Sequence, residues 1–105
     1  MAIIGIDLGT TNSLAAFFKD GESVLIPNEF DEFLTPSVVS LDENNEMIVG
    51  KTAKERLISH PEKTASLFKR TMGTDKEYKL GKKKYSSEEL SAFVLQSLKT
   101  DAEDF

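Results

Sequence analysis

The opening of the chain alternates short apolar runs with polar turns. Apolar residues dominate 3–8 and 14–18, and the polar residues between them separate the two runs. A second turn carries the hairpin signal Asp20-Gly21, and a third apolar segment over 23–26 stops at Pro27. The pattern predicts a three-stranded antiparallel meander over the first 26 residues, with 3–8 as a buried strand.

A second group of strands is predicted after a polar loop. Pro36 holds the residue before it in an extended conformation. Residues 37–41 are rich in β-branched side chains, and 47–49 form another apolar run after the polar letters 42–46. These two runs predict a β-hairpin.

The period of the apolar positions then changes. Ala53, Leu57 and Ile58 mark one face of a helix over 51–59, which His60-Pro61 ends. We predict a second, short helical piece over 64–68. A small hairpin over 78–85 is expected to turn at Gly81-Lys82.

The last segment is predicted to be an amphipathic helix. Ser86 and Glu89 have the spacing of a capping box. The helix then places four apolar residues on one face, at Leu90, Phe93, Val94 and Leu98. Three acids and no glycine or basic residue occupy 101–105, which is unfavourable for a helix end. We therefore expect the natural polypeptide to continue past Phe105, and the apolar face to lack a full cover in this chain.

Composition narrows the class of protein. The 105 residues include 39% hydrophobic and 30% charged side chains, which fits one modest globular domain. The net charge of -5 weighs against nucleic acid as a partner. The absence of cysteine rules out disulfides and thiolate metal sites and suits a reducing compartment. The first residues resemble neither a secretory signal nor a membrane span, so we expect a cytoplasmic protein.

The polar stretch between the first two strands has the residues of a phosphate and magnesium cradle. Gly9 allows close approach to the backbone, and Thr10 and Thr11 add hydroxyl donors to the turn amides. Asp7, at the end of the strand, is placed to hold a hydrated Mg²⁺. The same letters also suit an ordinary polar turn. The stretch lacks the lysine of a P-loop and the glycine spacing of a dinucleotide fold.

Five collinear segments of the chain resemble the heat shock protein 70 (DnaK-type) chaperones, which are actin-like ATPases. They read IGIDLGTTNS at 4–13, LTPSVVS at 34–40, IVGKTAKE at 48–55, HPEKTASLFKRTMG at 60–73 and LSAFVLQSLKTDAEDF at 90–105. The stretches SLDENNEMIVG at 40–50 and SHPEKTASLFKR at 59–70, with the short segment between Gly73 and Ser86, resemble the HscC branch most.

The resemblance implies an α/β, ribonuclease H-like fold of the actin-like ATPase type. Only part of that fold would be present, with a piece of subdomain IA over about 1–36 and subdomain IB over about 37–105. ATP or ADP with Mg²⁺ would be the cofactors. The implied phosphate-binding residues are Gly9, Thr10, Thr11 and Asn12, and the implied catalytic residues are Asp7, through the Mg²⁺ shell, and Lys69, at the γ-phosphate. Without the resemblance, Lys69 would be interpreted as a solvated lysine.

The resemblance also implies partners and an activity for the parent protein. The parent would couple ATP binding and hydrolysis to peptide binding, with unfolded clients, a J-domain co-chaperone and a nucleotide-exchange factor as partners. We expect no nucleic-acid or membrane partner. The 105-residue piece is expected to be inactive alone, and the unpaired edges of its sheet favour self-association.

Two other interpretations of the sequence stay open. Sugar and acetate kinases of the same superfamily also use Asp-x-Gly-x-Thr, although they are not expected to share the segment at 60–73. A small non-enzymatic binding module could use the first turn as an ordinary hairpin.

Overall fold

The structure is a computed structural model that describes residues 3–105. Over this range the chain forms three antiparallel sheets, two α-helices and two 3₁₀ turns. The strands are β1 (Ile3–Leu8), β2 (Asn12–Lys19), β3 (Glu22–Leu25), β4 (Thr35–Pro36), β5 (Val38–Leu41), β6 (Met47–Val49), β7 (Thr64–Ser66), β8 (Glu77–Leu80) and β9 (Lys83–Ser86). The helices are α1 (Lys51–Ser59) and α2 (Ser87–Asp104), and the 3₁₀ turns span Pro61–Lys63 and Phe68–Thr71.

The first sheet confirms the predicted meander. Its strands lie in the order β1-β2-β3, and β4 pairs with the beginning of β2. Asp20 and Gly21 both have positive φ, at 53° and 79°, as a two-residue hairpin of type I′ requires. The register between β1 and β2 runs from Ile3 opposite Phe18 to Leu8 opposite Ser13.

The prediction that residues 3–8 form a buried strand is wrong as regards burial. Ile3, Ile4 and Ile6 keep 63%, 41% and 39% of their surface exposed. Within the described residues β1 pairs with β2 alone, so it is an edge strand. A run of apolar residues indicates a preference for burial, but no described strand lies along the free side of β1 to cover it.

The second sheet has the order β6-β5-β7 and contains the predicted hairpin of β5 with β6. The helix predicted over 64–68 is wrong, because residues 64–66 form β7 and pair antiparallel with β5. Ala65 is buried opposite Val39, and the Thr64 hydroxyl lies 2.9 Å from that of Ser40. Pairing with a central strand overrides the local pattern here.

Arg56 fastens the predicted helix α1 to the second sheet. Its Nε donates to Ser40 Oγ at 2.7 Å, and its Nη2 donates to the Leu41 carbonyl at 2.8 Å. Glu43 accepts from Nη1 at 3.3 Å. The pKa of Glu43 is lowered, first by a backbone hydrogen bond and then by the guanidinium of Arg56.

The predicted hairpin of β8 and β9 leads directly into α2. Both bonds of the predicted capping box are present: Glu89 N donates to Ser86 Oγ at 3.1 Å, and Ser86 N donates to Glu89 Oε1 at 2.9 Å. The core contains Val39, Phe68, Leu80, Leu90, Val94 and Leu98.

The expectation that the apolar face of α2 lacks a cover is wrong for most of that face. Leu90, Val94 and Leu98 are buried, and Phe93 is half-buried against the same core. Strands of all three sheets pack against α2. The uncovered apolar surface lies on the flank instead, where Leu95 is 40% exposed.

Candidate functional site

The turn between β1 and β2 is tight at its centre. It consists of Gly9, Thr10 and Thr11, because β1 ends at Leu8 and β2 begins at Asn12. A Cβ built on Gly9 would overlap the carbonyl oxygen of Asn12. Only glycine fits this position without a shift of the backbone.

Ser37 donates two hydrogen bonds to carbonyl groups of the turn. Its amide donates to the Thr11 carbonyl at 2.9 Å, and its hydroxyl donates to the Gly9 carbonyl at 2.8 Å. The Ser13 hydroxyl lies 2.8 Å from Ser37 Oγ, and since that group donates to Gly9, Ser13 is the donor in this pair. Both serines are buried. The carbonyl oxygens of Gly9 and Thr11 are thereby directed toward Ser37.

Two amides of the turn have no hydrogen-bond acceptor within the described residues. Within residues 3–105, the backbone N–H groups of Thr10 and Thr11 donate no hydrogen bond to another backbone group or to a side chain. Thr11 is exposed, and Gly9 and Thr10 are half-exposed, so an anion can approach. Successive unpaired amides at a strand–turn junction favour a negatively charged ligand.

Asp7 and Asn12 flank these amides. Asp7 is exposed near the end of β1, and Asn12 begins β2 and pairs with Pro36. Over the described range, no group of three histidine, cysteine or acidic side chains could hold a metal ion by itself. The Asp7 carboxylate suits Mg²⁺, which commonly takes one or two protein carboxylates and completes its shell with water and ligand phosphates.

Lys69 lies on a different element from the turn. It is exposed in the 3₁₀ turn at 68–71, which packs on α2. Leu67 precedes this turn with φ 58°, a left-handed conformation that leucine rarely adopts. The Thr71 hydroxyl fixes the other end, 2.8 Å from Tyr78 Oη and 2.6 Å from Ser87 Oγ. The structure thus gathers Asp7 and residues 9–12, and it shows no ion pair between Lys69 and Asp7.

Sequence reasoning missed the two serines that hold the turn. The sequence pattern places Ser13 at the end of the polar turn and Ser37 at the start of a strand and gives neither a role, although their hydroxyls form the buried link to Gly9. A buried hydroxyl needs a hydrogen-bond partner, so a serine next to an apolar run was a signal that two segments of the chain meet there. The distance of 24 residues between them kept that signal from being used.

A polar cavity of about 240 Å³ lies beside the end of α2, apart from the turn, and acidic side chains predominate in its lining. Glu29, Asp101 and Asp104 all line it. Burial raises the pKa of Asp101, and the nearby carboxylates of Glu29 and Asp104 raise it further. Three carboxylates make this cavity unfavourable for an anionic ligand.

We expect Asp101→Asn to stabilise the chain at neutral pH. A carboxyl whose pKa is raised on folding is less favourable when ionised, so its cost appears as the pH rises above the usual aspartate value. The gain should be about 0.5 kcal/mol or less, and it should vanish below about pH 3. Thermal unfolding of both proteins from pH 3 to pH 8 measures this.

Glu88→Gln is the matched control for that substitution. Glu88 lies in the first turn of the same helix, where a negative charge favours the helix dipole. Its loss should lower the melting temperature slightly. A stabilising effect of both substitutions would show that net charge, rather than position, is responsible.

These features define an α/β protein whose first two strands are joined by a tight turn with an exposed carboxylate beside it. A family model described as Hsp70 protein matches residues 3–80, a range that includes both the turn and Lys69. The chain belongs to the Hsp70 family.

Membership of the family fixes the general properties of the chain. Hsp70 proteins are ATP-binding chaperones that depend on nucleotide and Mg²⁺, and their ATPase domain has the actin-like fold. The α/β architecture with antiparallel sheets agrees with a piece of that domain. None of the helices within residues 3–105 combines the length and the apolar character needed to cross a membrane.

Proposed function

We propose that this chain is the first part of the ATPase domain of a DnaK-type chaperone of the HscC-like branch, in which the turn at 9–12 binds the β- and γ-phosphates of ATP. The observation that supports the proposal is the pair of successive amides at Thr10 and Thr11 that donate no hydrogen bond within the described residues, beside the exposed carboxylate of Asp7. The division between the first two sheets at Ser37 supports a boundary near residue 36 between a subdomain IA piece and subdomain IB.

Each proposed site residue has a distinct task. The turn amides and the hydroxyls of Thr10 and Thr11 orient the phosphate chain, because Ser37 keeps the competing carbonyls turned away. Asp7 holds water of the magnesium shell, and the ion neutralises phosphate charge when it is bound. The Lys69 ammonium is a mobile point charge that would contribute at the γ-phosphate.

The activity of the whole protein extends beyond this chain. In the proposed parent, ATP binding and hydrolysis control the exchange of unfolded peptide clients, with a J-domain co-chaperone and a nucleotide-exchange factor as partners. The absence of cysteine supports a reducing compartment such as the cytoplasm. The 105 residues alone are proposed to bind nucleotide weakly and to turn over no ATP.

The test is an NMR titration of the 105-residue chain with inorganic triphosphate, diphosphate and ATP, each with and without Mg²⁺. We expect shifts of the Gly9, Thr10 and Thr11 amides, with triphosphate acting as well as ATP because the turn contacts phosphate alone. Asp7→Asn should reduce the Mg²⁺-dependent part of the affinity by about tenfold, the usual effect of one charge-assisted contact. Lys69→Ala should weaken triphosphate more than diphosphate.

Two matched variants control for charge and position. Asp20→Asn removes a carboxylate from the other hairpin of the same sheet, and Lys82→Ala removes an exposed lysine from the β8–β9 turn. Neither should change the affinity. If the amides of residues 9–11 stay unshifted at saturating Mg²⁺ and triphosphate, the proposed site is wrong.

A further inference from the structure

Two of the buried residues of α2 are serines. Ser87 and Ser91 lie one turn apart on the helix, among the leucine and valine side chains of its buried face. A buried hydroxyl costs stability unless it is hydrogen-bonded, and alanine is the better helix former, so packing alone does not favour serine here. Both hydroxyls instead contact the segment next to Lys69. Ser87 Oγ lies 2.6 Å from Thr71 Oγ1, and Ser91 Oγ donates to Met72 Sδ at 3.5 Å.

The Thr71 hydroxyl uses its full hydrogen-bonding capacity. It donates to the Phe68 carbonyl at 3.1 Å. Because a hydroxyl has one proton and two lone pairs, the hydroxyls of Tyr78 and Ser87, at 2.8 and 2.6 Å, are then its donors. The 3₁₀ turn, β8 and α2 therefore meet at one oxygen atom. Lys69 lies between Phe68 and Thr71, the two ends of the turn that this oxygen joins.

The entry to the same turn is held in an uncommon backbone conformation. Leu67 has φ 58° and ψ 18°, in the left-handed region. A residue other than glycine keeps this conformation only where its neighbours on both sides determine it. On one side Ser66 pairs with Val38 in the second sheet, and on the other the Phe68 ring is buried in the core. Both ends of the turn are thus fixed, while the Lys69 side chain is exposed.

We propose that the hydroxyl of Thr71, with those of Tyr78 and Ser87 as its donors, positions Lys69 for the γ-phosphate of bound ATP. The inference rests on the proposed function, in which the Lys69 ammonium contributes at that phosphate. A lysine side chain is flexible, so a fixed backbone beneath it lowers the entropy lost when the ammonium is ordered on a ligand. Thr71 acts through Lys69 and is therefore a positioning residue.

A purely structural role for the three hydroxyls makes a different prediction. The turn at 9–12 belongs to the first sheet, and none of the three hydroxyls lies in that sheet. A general loss of stability would therefore weaken ATP and ADP alike. Loss of a fixed Lys69 weakens ATP selectively, because ADP lacks the phosphate at which the ammonium is proposed to act. The ratio of the two affinities separates the two roles.

The test is an NMR titration of the 105-residue chain with Mg²⁺ and either ATP or ADP, which gives the ratio of the two dissociation constants. Lys69→Ala should lower the preference for ATP by about tenfold, the usual effect of one charge-assisted contact. Thr71→Val removes the hydroxyl and keeps the shape of the side chain. It should lower the preference by about threefold, half of that free energy. Thr71→Ser keeps the hydroxyl and should restore the preference.

Tyr78→Phe is a second variant that keeps the core intact. It removes one donor to Thr71 and leaves the ring that meets Phe68 edge-on. It should lower the preference for ATP in the same direction as Thr71→Val. Thr100→Val is the control, because it removes an exposed hydroxyl that donates to the Gln96 carbonyl elsewhere on α2. Urea unfolding of every variant measures stability in parallel.

The outcomes distinguish this inference from the proposed function. If Lys69→Ala lowers the preference for ATP while Thr71→Val and Tyr78→Phe leave it unchanged, the hydroxyls are structural only and the inference alone is wrong. A Thr71→Ser variant that behaves like Thr71→Val also overturns it, because the hydroxyl would not be the cause. An unchanged preference in Lys69→Ala overturns both the inference and the proposed role of the lysine. If Thr71→Val fails to fold, Tyr78→Phe decides the question.

Discussion

Replacing Phe68 with alanine is expected to lower the free energy of unfolding by about 3–5 kcal/mol, the usual cost of removing a buried aromatic ring. Phe68 is 2% exposed, and its ring meets that of Tyr78 edge-on at 6.5 Å. The melting temperature should fall by at least about 12 °C, since 1 kcal/mol corresponds to about 4–8 °C in a domain of this size. Urea and thermal unfolding measure the loss.

Phe33→Ala is the matched control. Phe33 is 51% exposed, so the same truncation should change stability by about 0.5 kcal/mol or less. Similar losses for the two variants would mean that Phe68 does not lie in the main core. Lys69 lies in the 3₁₀ turn that begins at Phe68. Phe68→Ala should therefore also make the position of the Lys69 side chain less fixed.

Gly9→Ala is expected to destabilise the chain by about 1–3 kcal/mol, the range for a group forced into occupied space. The new methyl group would overlap the Asn12 carbonyl, which belongs to the backbone and cannot rotate away. The turn must open, and the bond from Ser37 Oγ to the Gly9 carbonyl should weaken. Urea unfolding gives the stability loss, and amide exchange at Thr10 and Thr11 reports the changed turn.

Gly5→Ala separates a backbone clash from a side-chain clash. A Cβ at residue 5 would lie 2.7 Å from Cε2 of Phe18, at the far end of a partly exposed ring. The ring can swing aside, and alanine suits a strand better than glycine, so the net change should be near zero. An equal loss for both variants would contradict the steric explanation.

The elements with strong local signals were predicted correctly from the sequence. Asp20-Gly21 sets the backbone of a tight hairpin by itself, and Ser86 with Glu89 begins α2 by two bonds within four residues. The position of the turn between β1 and β2 also followed from the sequence. These features depend on neighbours along the chain, which a single sequence displays.

The features that depend on distant partners were not predictable in the same way. Residues 64–66 form a strand because their backbone pairs with β5. β1 is exposed because no described strand lies on the side opposite β2. The pattern of apolar letters cannot distinguish a covered strand from an uncovered one. The Ser13–Ser37 link was missed for the same reason, since its two hydroxyls meet only after the sheets assemble.

Ser37 occupies the single position between β4, which belongs to the first sheet, and β5, which belongs to the second. Because the same residue grips the turn through its amide and its hydroxyl, the loop cannot move independently of the joint between the sheets. Any rocking of one sheet on the other pulls directly on the carbonyls of Gly9 and Thr11. A change in the shape of the domain would thereby be transmitted to the loop, and a ligand seated there would resist the motion in return.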